Sequence, residues 1–210
     1  PPGGAAACPV SLRSIADLAT REALDAFEAT KEIWPPLGLR HRIEHAQCLA
    51  PEDIARFAAI GVACSVQFAH AHSDRDLAEG FWGDRLDGAY AFRSLWDSGA
   101  VVANGSDAPV EELDPLTGIR AGVLRTLDDR PAWRPEEALT MEQALQATTV
   151  NPAWLAGDER RRGRLLPGFL ADLVVLDRDP VTTPLEQLGE ISVVATMVGG
   201  RWVHNPPPWD

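Results

Sequence analysis

The sequence predicts an α/β fold built on a parallel sheet. Three observations carry that expectation: short β-branched or apolar runs alternate with segments of helical periodicity, turn and cap residues punctuate them, and the alternation persists to about residue 158. From residue 159 onward the texture changes to strands joined by tight turns, so a boundary is placed between 1–158 and 159–210.

A short strand near "CPVSLR" leads into a helix over "SIADLATREALDAFEATKE", where Ile15, Leu18, Ala19, Leu24 and Phe27 recur at helical spacing. "RHRIEHAQ" is the next strand. "PEDIARFAAIG" is a well-signed helix: Pro51 suits the first turn, two acids follow where the dipole favours them, and Gly61 suits the stop. "VACSVQ", residues 62–67, is β-branched and apolar and reads as a buried strand. A long loop containing "HAHSD" and "GFWGDRLDG" precedes the helix "AYAFRSLWDSG", and "AVVANGSD" is the following strand. Asp114 caps the helix "PLTGIRAGVLRTL", and Thr140 with Gln143 forms a capping box for "MEQALQATT". Beyond the boundary, "ADLVVLD" is a strand and "ISVVATMVGGRWVHN" a hairpin about Gly199 and Gly200; the terminal "PPPWD" reads as a frayed tail.

Composition narrows the function classes. Apolar residues make up 45% of the 210, enough for a core. No apolar run approaches the roughly 20 residues that cross a bilayer, and "PPGGAAACPV" lacks the pattern of a signal peptide. The absence of an initiator Met points to a processed or truncated chain. A net charge of −12 argues against nucleic acid and anionic membrane as partners, since both require clustered Lys and Arg. The basic run "ERRRGR" reads as a solvated loop. Cys8, Cys48 and Cys64 form no Cys-x-x-Cys pair and read as reduced thiols, which places the chain in the cytoplasm.

In parallel α/β architectures, reactive groups gather at the carboxyl ends of strands. His45 closes "RIEH", His70 and His72 lie just beyond "VACSVQ", and Asp107 closes "VVANGSD". Imidazole and carboxylate meeting there could hold Zn²⁺ or a similar divalent cation. The plain readings are a hydrogen-bonded structural histidine at 45 and a turn-ordering aspartate before Pro109. His41 and His204 carry no functional assignment, and Glu44, alternating with His45, is assigned to a structural salt bridge.

The stretches "RIEHAQ", "GVACSVQFAH", "NGSDAPVEELDPLTGI", "LTMEQALQATTVNPAWLAG" and "GRLLPGFLADLVVLDRDP" follow one another along almost the whole chain. Together they resemble the C-terminal half of the amidohydrolase superfamily, specifically amidohydrolase family 3, the group that includes N-substituted formamide deformylase. The resemblance implies part of a metal-carrying TIM-type (β/α)₈ barrel, with residues 1–158 supplying the last four βα units. Residues 159–210 would be the returning strands of a small β-sandwich. It implies His45 as the strand-six metal ligand, Asp107 as strand-eight ligand and general base, and His70 as a substrate contact. The family's strand-five histidine falls at Arg13, whose guanidinium has no free lone pair for a cation. The His-x-His pair of strand one lies outside this segment, and Lys31, the single lysine, sits within a predicted helix, so no bridging carboxylated lysine comes from it.

The activity so implied is metal-dependent hydrolysis of an amide or other non-peptide C–N bond in a small molecule, with Zn²⁺ the preferred ion. Residues 68–86 would cover the mouth, with Phe81 and Trp82 walling an apolar pocket. Half a barrel leaves two strand edges unpaired and half of an apolar interior open, so a homo-oligomer or the absent N-terminal half is the expected partner. The competing readings are a non-catalytic remnant or interaction module, supported by Arg13, and a hydrolase of cyclic amides.

Overall fold

The computed structural model describes residues 8–205, and the readings made for residues 1–7 and 206–210 lie outside them. Four parallel strands follow one another across a sheet in chain order: β1 (Ser11–Ser14), β2 (Arg42–His45), β3 (Ala63–Val66) and β4 (Val102–Asn104). Their register explains which side is covered. Leu12, Ile43, Cys64 and Val102 form one cross-strand row, and it packs into the apolar core beneath the helices. Arg13, Glu44, Ser65 and Ala103 form the next row, which alternation turns to the opposite face.

That opposite face departs from the expectation of an apolar interior. Glu44 pairs with Arg42 and accepts a hydrogen bond from Ser11 Oγ at 2.6 Å, so the face is largely polar and hydrogen-bonded. Polar groups that keep partners lose little by facing water, which removes the cost an open apolar interior would carry. The salt bridge assigned to Glu44 is present.

Helix α1 (Asp17–Ala29) buries Thr20, Leu24 and Phe27. Leu18, expected on the same stripe, is 65% exposed, because at helical spacing it lies on the side of α1 opposite Thr20 and Phe27. Helix α2 (Pro51–Ile60) starts on Pro51, carries Glu52 and Asp53 in its first turn and stops at Gly61, whose φ of 86° lies where a side chain would be strained. Phe57 and Ile60 point into the core, and each contributes on the order of 2 kcal/mol by leaving water. Asp53, also buried, is held between Arg21 and Arg56, which lock α1 against α2.

The stretch after β3, expected as a long loop, is mostly helical: α3 (His70–Ser73), α4 (Arg75–Trp82) and a 3₁₀ segment over 83–88. Only Ala78 of α4 is buried, so little apolar period exists to announce it. Helix α5 (Phe92–Asp97) precedes β4, and α6 (Pro115–Leu124), α7 (Met141–Thr148) and α8 (Val150–Leu155) follow it. Asp114 caps α6 by accepting from the Leu116 amide, and Thr140 with Gln143 completes the capping box of α7.

Strands β5 (Leu173–Leu176), β6 (Val193–Val198) and β7 (Arg201–His204) form a separate antiparallel sheet in that order. The last two make the expected hairpin about Gly199 and Gly200, both at positive φ. Contacts from several points tie this segment to the rest. Leu188 is buried in the shared core, and Arg40 forms two hydrogen bonds with Glu159, at 2.8 and 2.6 Å, while stacking over Trp154. Cys48 and Cys64 are buried free thiols, and among the described residues no helix is long and apolar enough to cross a membrane.

Candidate metal centre

Three parallel strands end side by side, and the turns beyond them deliver three side chains to one point. His45 is the last residue of β2, with φ 72°. Asp107 follows β4 by three residues, with φ 57°. His70 opens α3 just beyond β3, and this turn is fixed by Asn104, whose Oδ1 accepts from the Phe68 amide at 2.9 Å. Left-handed backbone at two non-glycine residues costs free energy, and such positions concentrate where side-chain placement matters more than local ease.

One ligand atom from each of His45, His70 and Asp107 lies within 4.8 Å of the others. His70 Nε2 is 3.9 Å from Asp107 Oδ2, and the two imidazoles stack with centroids 5.8 Å apart. Both rings are buried, whereas the Asp107 side chain is 34% exposed, so the cluster opens to solvent on the carboxylate side. His45 Nδ1 and His70 Nε2 are buried without a hydrogen-bond partner. An orphaned buried polar atom costs on the order of 1–3 kcal/mol, and each ring of this cluster holds one. Imidazole and carboxylate side by side fit a borderline divalent cation, approached from one side.

The electrostatics of His45 point the same way. Burial pushes its pKa down, and the nearby Arg13 charge pushes it further, against the raising effect of Asp107. A histidine held neutral keeps the lone pair that ligation requires. Arg13 stands on β1, in the strand next to His45, where its own guanidinium can contribute charge but no ligand atom.

The other histidines have plain roles. His41 accepts from the Val10 amide through Nδ1 and packs against Phe27 and Trp34; burial lowers its pKa. His72 accepts from the Leu127 amide and faces a neighbouring cavity of about 420 Å³ rather than the cluster. That cavity is lined by Asn104, Ser106, Glu111, Leu113 and Thr148 among others, and not by Phe81 or Trp82. Phe81 is 79% exposed and Trp82 packs onto the core, so neither makes the expected wall.

Residues without an assignment from sequence also converge here. Gln47 Nε2 lies 3.1 Å from His70 Nδ1 and donates to Asp74 Oδ2 at 2.9 Å; the Tyr90 hydroxyl donates to the same oxygen at 2.9 Å. Gln47 and Asp74 stand within the stretches "EHAQ" and "HSD", two residues beyond a histidine in each case, which is the one signal available in sequence.

Known proteins share the sequence pattern and fold of this chain. The amidohydrolase family model matches residues 4–204. Protein LONG AFTER FAR-RED 3 of Arabidopsis thaliana is 35% identical over 198 residues, covering 93% of this chain and 34% of that protein. YtcJ of Bacillus subtilis (strain 168) is 34% identical over 201 residues, covering 93% and 37%. N-substituted formamide deformylase of Arthrobacter pascens is 30% identical over 179 residues, covering 84% and 33%. Among solved structures, a metal-dependent hydrolase from Pyrococcus horikoshii OT3 superimposes with a TM-score of 0.72 at 29% identity, over 85% of this chain and 35% of that one. The chain thus spans about a third of the length of these relatives. With residues 4–204 of its 210 matching the family model, this chain belongs to the amidohydrolase family.

Proposed function

We propose that this chain carries the second half of the catalytic barrel of a metal-dependent hydrolase acting on an amide or other non-peptide C–N bond of a small molecule. Residues 1–158 form the half-barrel and 159–210 the returning strands of a β-sandwich. His45 and Asp107 hold a divalent cation, Zn²⁺ by preference, and His70 meets the substrate. The observation that carries this reading is the convergence of His45, His70 and Asp107 at adjacent strand ends with two buried ring nitrogens unpartnered.

The chemistry a bound cation supplies is polarisation of a carbonyl and acidification of water. Asp107, the member open to solvent, takes the proton of the attacking water in this reading and delivers it to the leaving nitrogen. The buried rings of His45 and His70 floor the site and exclude solvent from that side. Two firm ligands fall short of the three that catalytic zinc sites use. The isolated chain therefore binds zinc weakly, and turnover requires the N-terminal half, present in the same protein or supplied by a partner. The net charge of −12 fits a small-molecule partner and no nucleic acid.

Arg13 favours a second reading, a module that keeps the fold without the chemistry, because it offers a cation where the family resemblance calls for a ligand. Zinc analysis and amide-hydrolysis assays on the purified 210-residue chain separate the cases. Weak zinc binding at His45 and Asp107, with hydrolysis appearing once an N-terminal half is added, supports the hydrolase. No zinc binding under any condition supports the module. Tight stoichiometric zinc with turnover by the chain alone would overturn the need for an N-terminal half.

A further inference from the structure

The hydrogen bonds behind His70 determine which of its nitrogens carries the proton. Asp74, as a carboxylate, can only accept. Its Oδ2 accepts from the Tyr90 hydroxyl at 2.9 Å and lies 2.9 Å from the Gln47 amide nitrogen. Turning the Gln47 amide over would set its oxygen against that carboxylate oxygen, two acceptors with no proton between them. The nitrogen must therefore face Asp74. The same nitrogen is 3.1 Å from His70 Nδ1, and an amide NH₂ has a second hydrogen to give. Nδ1 of His70 is consequently the acceptor, and in the neutral ring the proton resides on Nε2.

Main-chain bonds hold this relay in place. The Tyr90 amide donates to the Gln47 carbonyl at 2.6 Å, and the Asp74 amide donates to the His70 carbonyl at 2.9 Å. Burial and the adjacent Asp74 push the Tyr90 hydroxyl well up, so it remains a donor to Asp74. At the far side, His70 Nε2 is buried without a partner and faces Asp107 Oδ2 at 3.9 Å, too long for a direct hydrogen bond.

We propose that Asp74, acting through Gln47, holds His70 as its Nε2–H tautomer, so that this histidine gives the site a hydrogen-bond donor and not a third metal ligand. Protonated at Nε2, the ring has no lone pair left to direct at a cation beside Asp107. What it can do is donate to an oxygen or nitrogen of a substrate placed between it and Asp107, most usefully to a carbonyl oxygen as negative charge develops there. Gln47, Asp74 and Tyr90 are then positioning residues, acting through His70. The role toward substrate rests on the hydrolase reading; the tautomer does not.

Nitrogen-15 NMR of the purified chain at pH 8, where an ordinary imidazole is neutral, reads the tautomer directly. The expected spectrum shows His70 Nε2 pyrrole-like and Nδ1 pyridine-like, whereas the reverse assignment would overturn the proposal. A double variant, Gln47→Glu with Asp74→Asn, reverses the polarity of the relay: the side-chain amide introduced at position 74 donates to the new carboxylate at position 47, which accepts from His70 Nδ1. The proton should move to Nδ1, and zinc, titrated alone, should bind about ten-fold tighter as the freed Nε2 joins His45 and Asp107. An unchanged tautomer in the folded double variant would contradict the relay. A chain that shows the Nε2–H tautomer yet never hydrolyses amides, even with an N-terminal half supplied, would refute the proposed activity and leave the tautomer standing.

Discussion

The left-handed backbone at His45 makes a prediction whose sign is unusual. His45→Ala and His45→Gly remove the same ring, the same stacking on His70 and the same orphaned Nδ1. They differ only in the Cβ, and at φ 72° that atom is the source of strain. Left-handed conformation costs a residue with a side chain about 1–2 kcal/mol, and glycine loses about 0.5–1 kcal/mol more chain entropy on folding. The difference leaves His45→Gly more stable than His45→Ala by about 1 kcal/mol, roughly five-fold in the unfolding constant. For a chain of this size that corresponds to about 2–4 °C in Tm. Urea denaturation of the two variants measures it, with Glu44→Ala and Glu44→Gly as the control pair. Glu44 lies in the same strand without a positive φ, so there alanine should be the more stable. Alanine more stable than glycine at 45 would refute the strained strand end on which the placement of the imidazole depends.

Three further outcomes follow. Asp53→Ala removes a buried carboxylate that accepts from Arg21 Nε at 2.8 Å and Arg56 Nη1 at 3.0 Å; both arginines keep other acids, so the cost in urea denaturation should be about 2 kcal/mol. Arg13→His places a neutral imidazole next to His45, and zinc titration should show binding about ten-fold tighter. Hydrogen bonds from Arg40 hold the Glu159 carboxyl down to about 2, below its ordinary 4.5. The tie to residue 159 should therefore be fully present above pH 4.5 and weaken as pH falls through about 2, which carboxyl NMR titration against an Arg40→Gln variant reads.

Local signals made much of the parallel sheet legible. Pro51 and Gly61 bracket α2, and Thr140 with Gln143 marks the start of α7, because caps and breakers act within a few residues of the backbone they satisfy. The segment 70–88 resisted the same treatment. Its helices are short, no side-chain cap opens α3 or α4, and only Ala78 of α4 meets the core. The convergence at the strand ends was legible in part: His45, His70 and Asp107 could each be placed at a strand end. Their meeting within 4.8 Å depends on parallel register and on Asn104 gripping the turn at Phe68, contacts far apart in sequence. The relay through Gln47, Asp74 and Tyr90 depends on such contacts alone. The polar face of the sheet was also hidden, since alternation tells which residues share a face but not which face the helices cover.

Zinc titration of the 210-residue chain against His45→Ala and Asp107→Ala tests the central claim most directly. One weakly held zinc per wild-type chain is expected, with a loss of at least about ten-fold in affinity in either variant. Zinc binding of equal strength in wild type and both variants would show that the strand-end cluster is not the metal site.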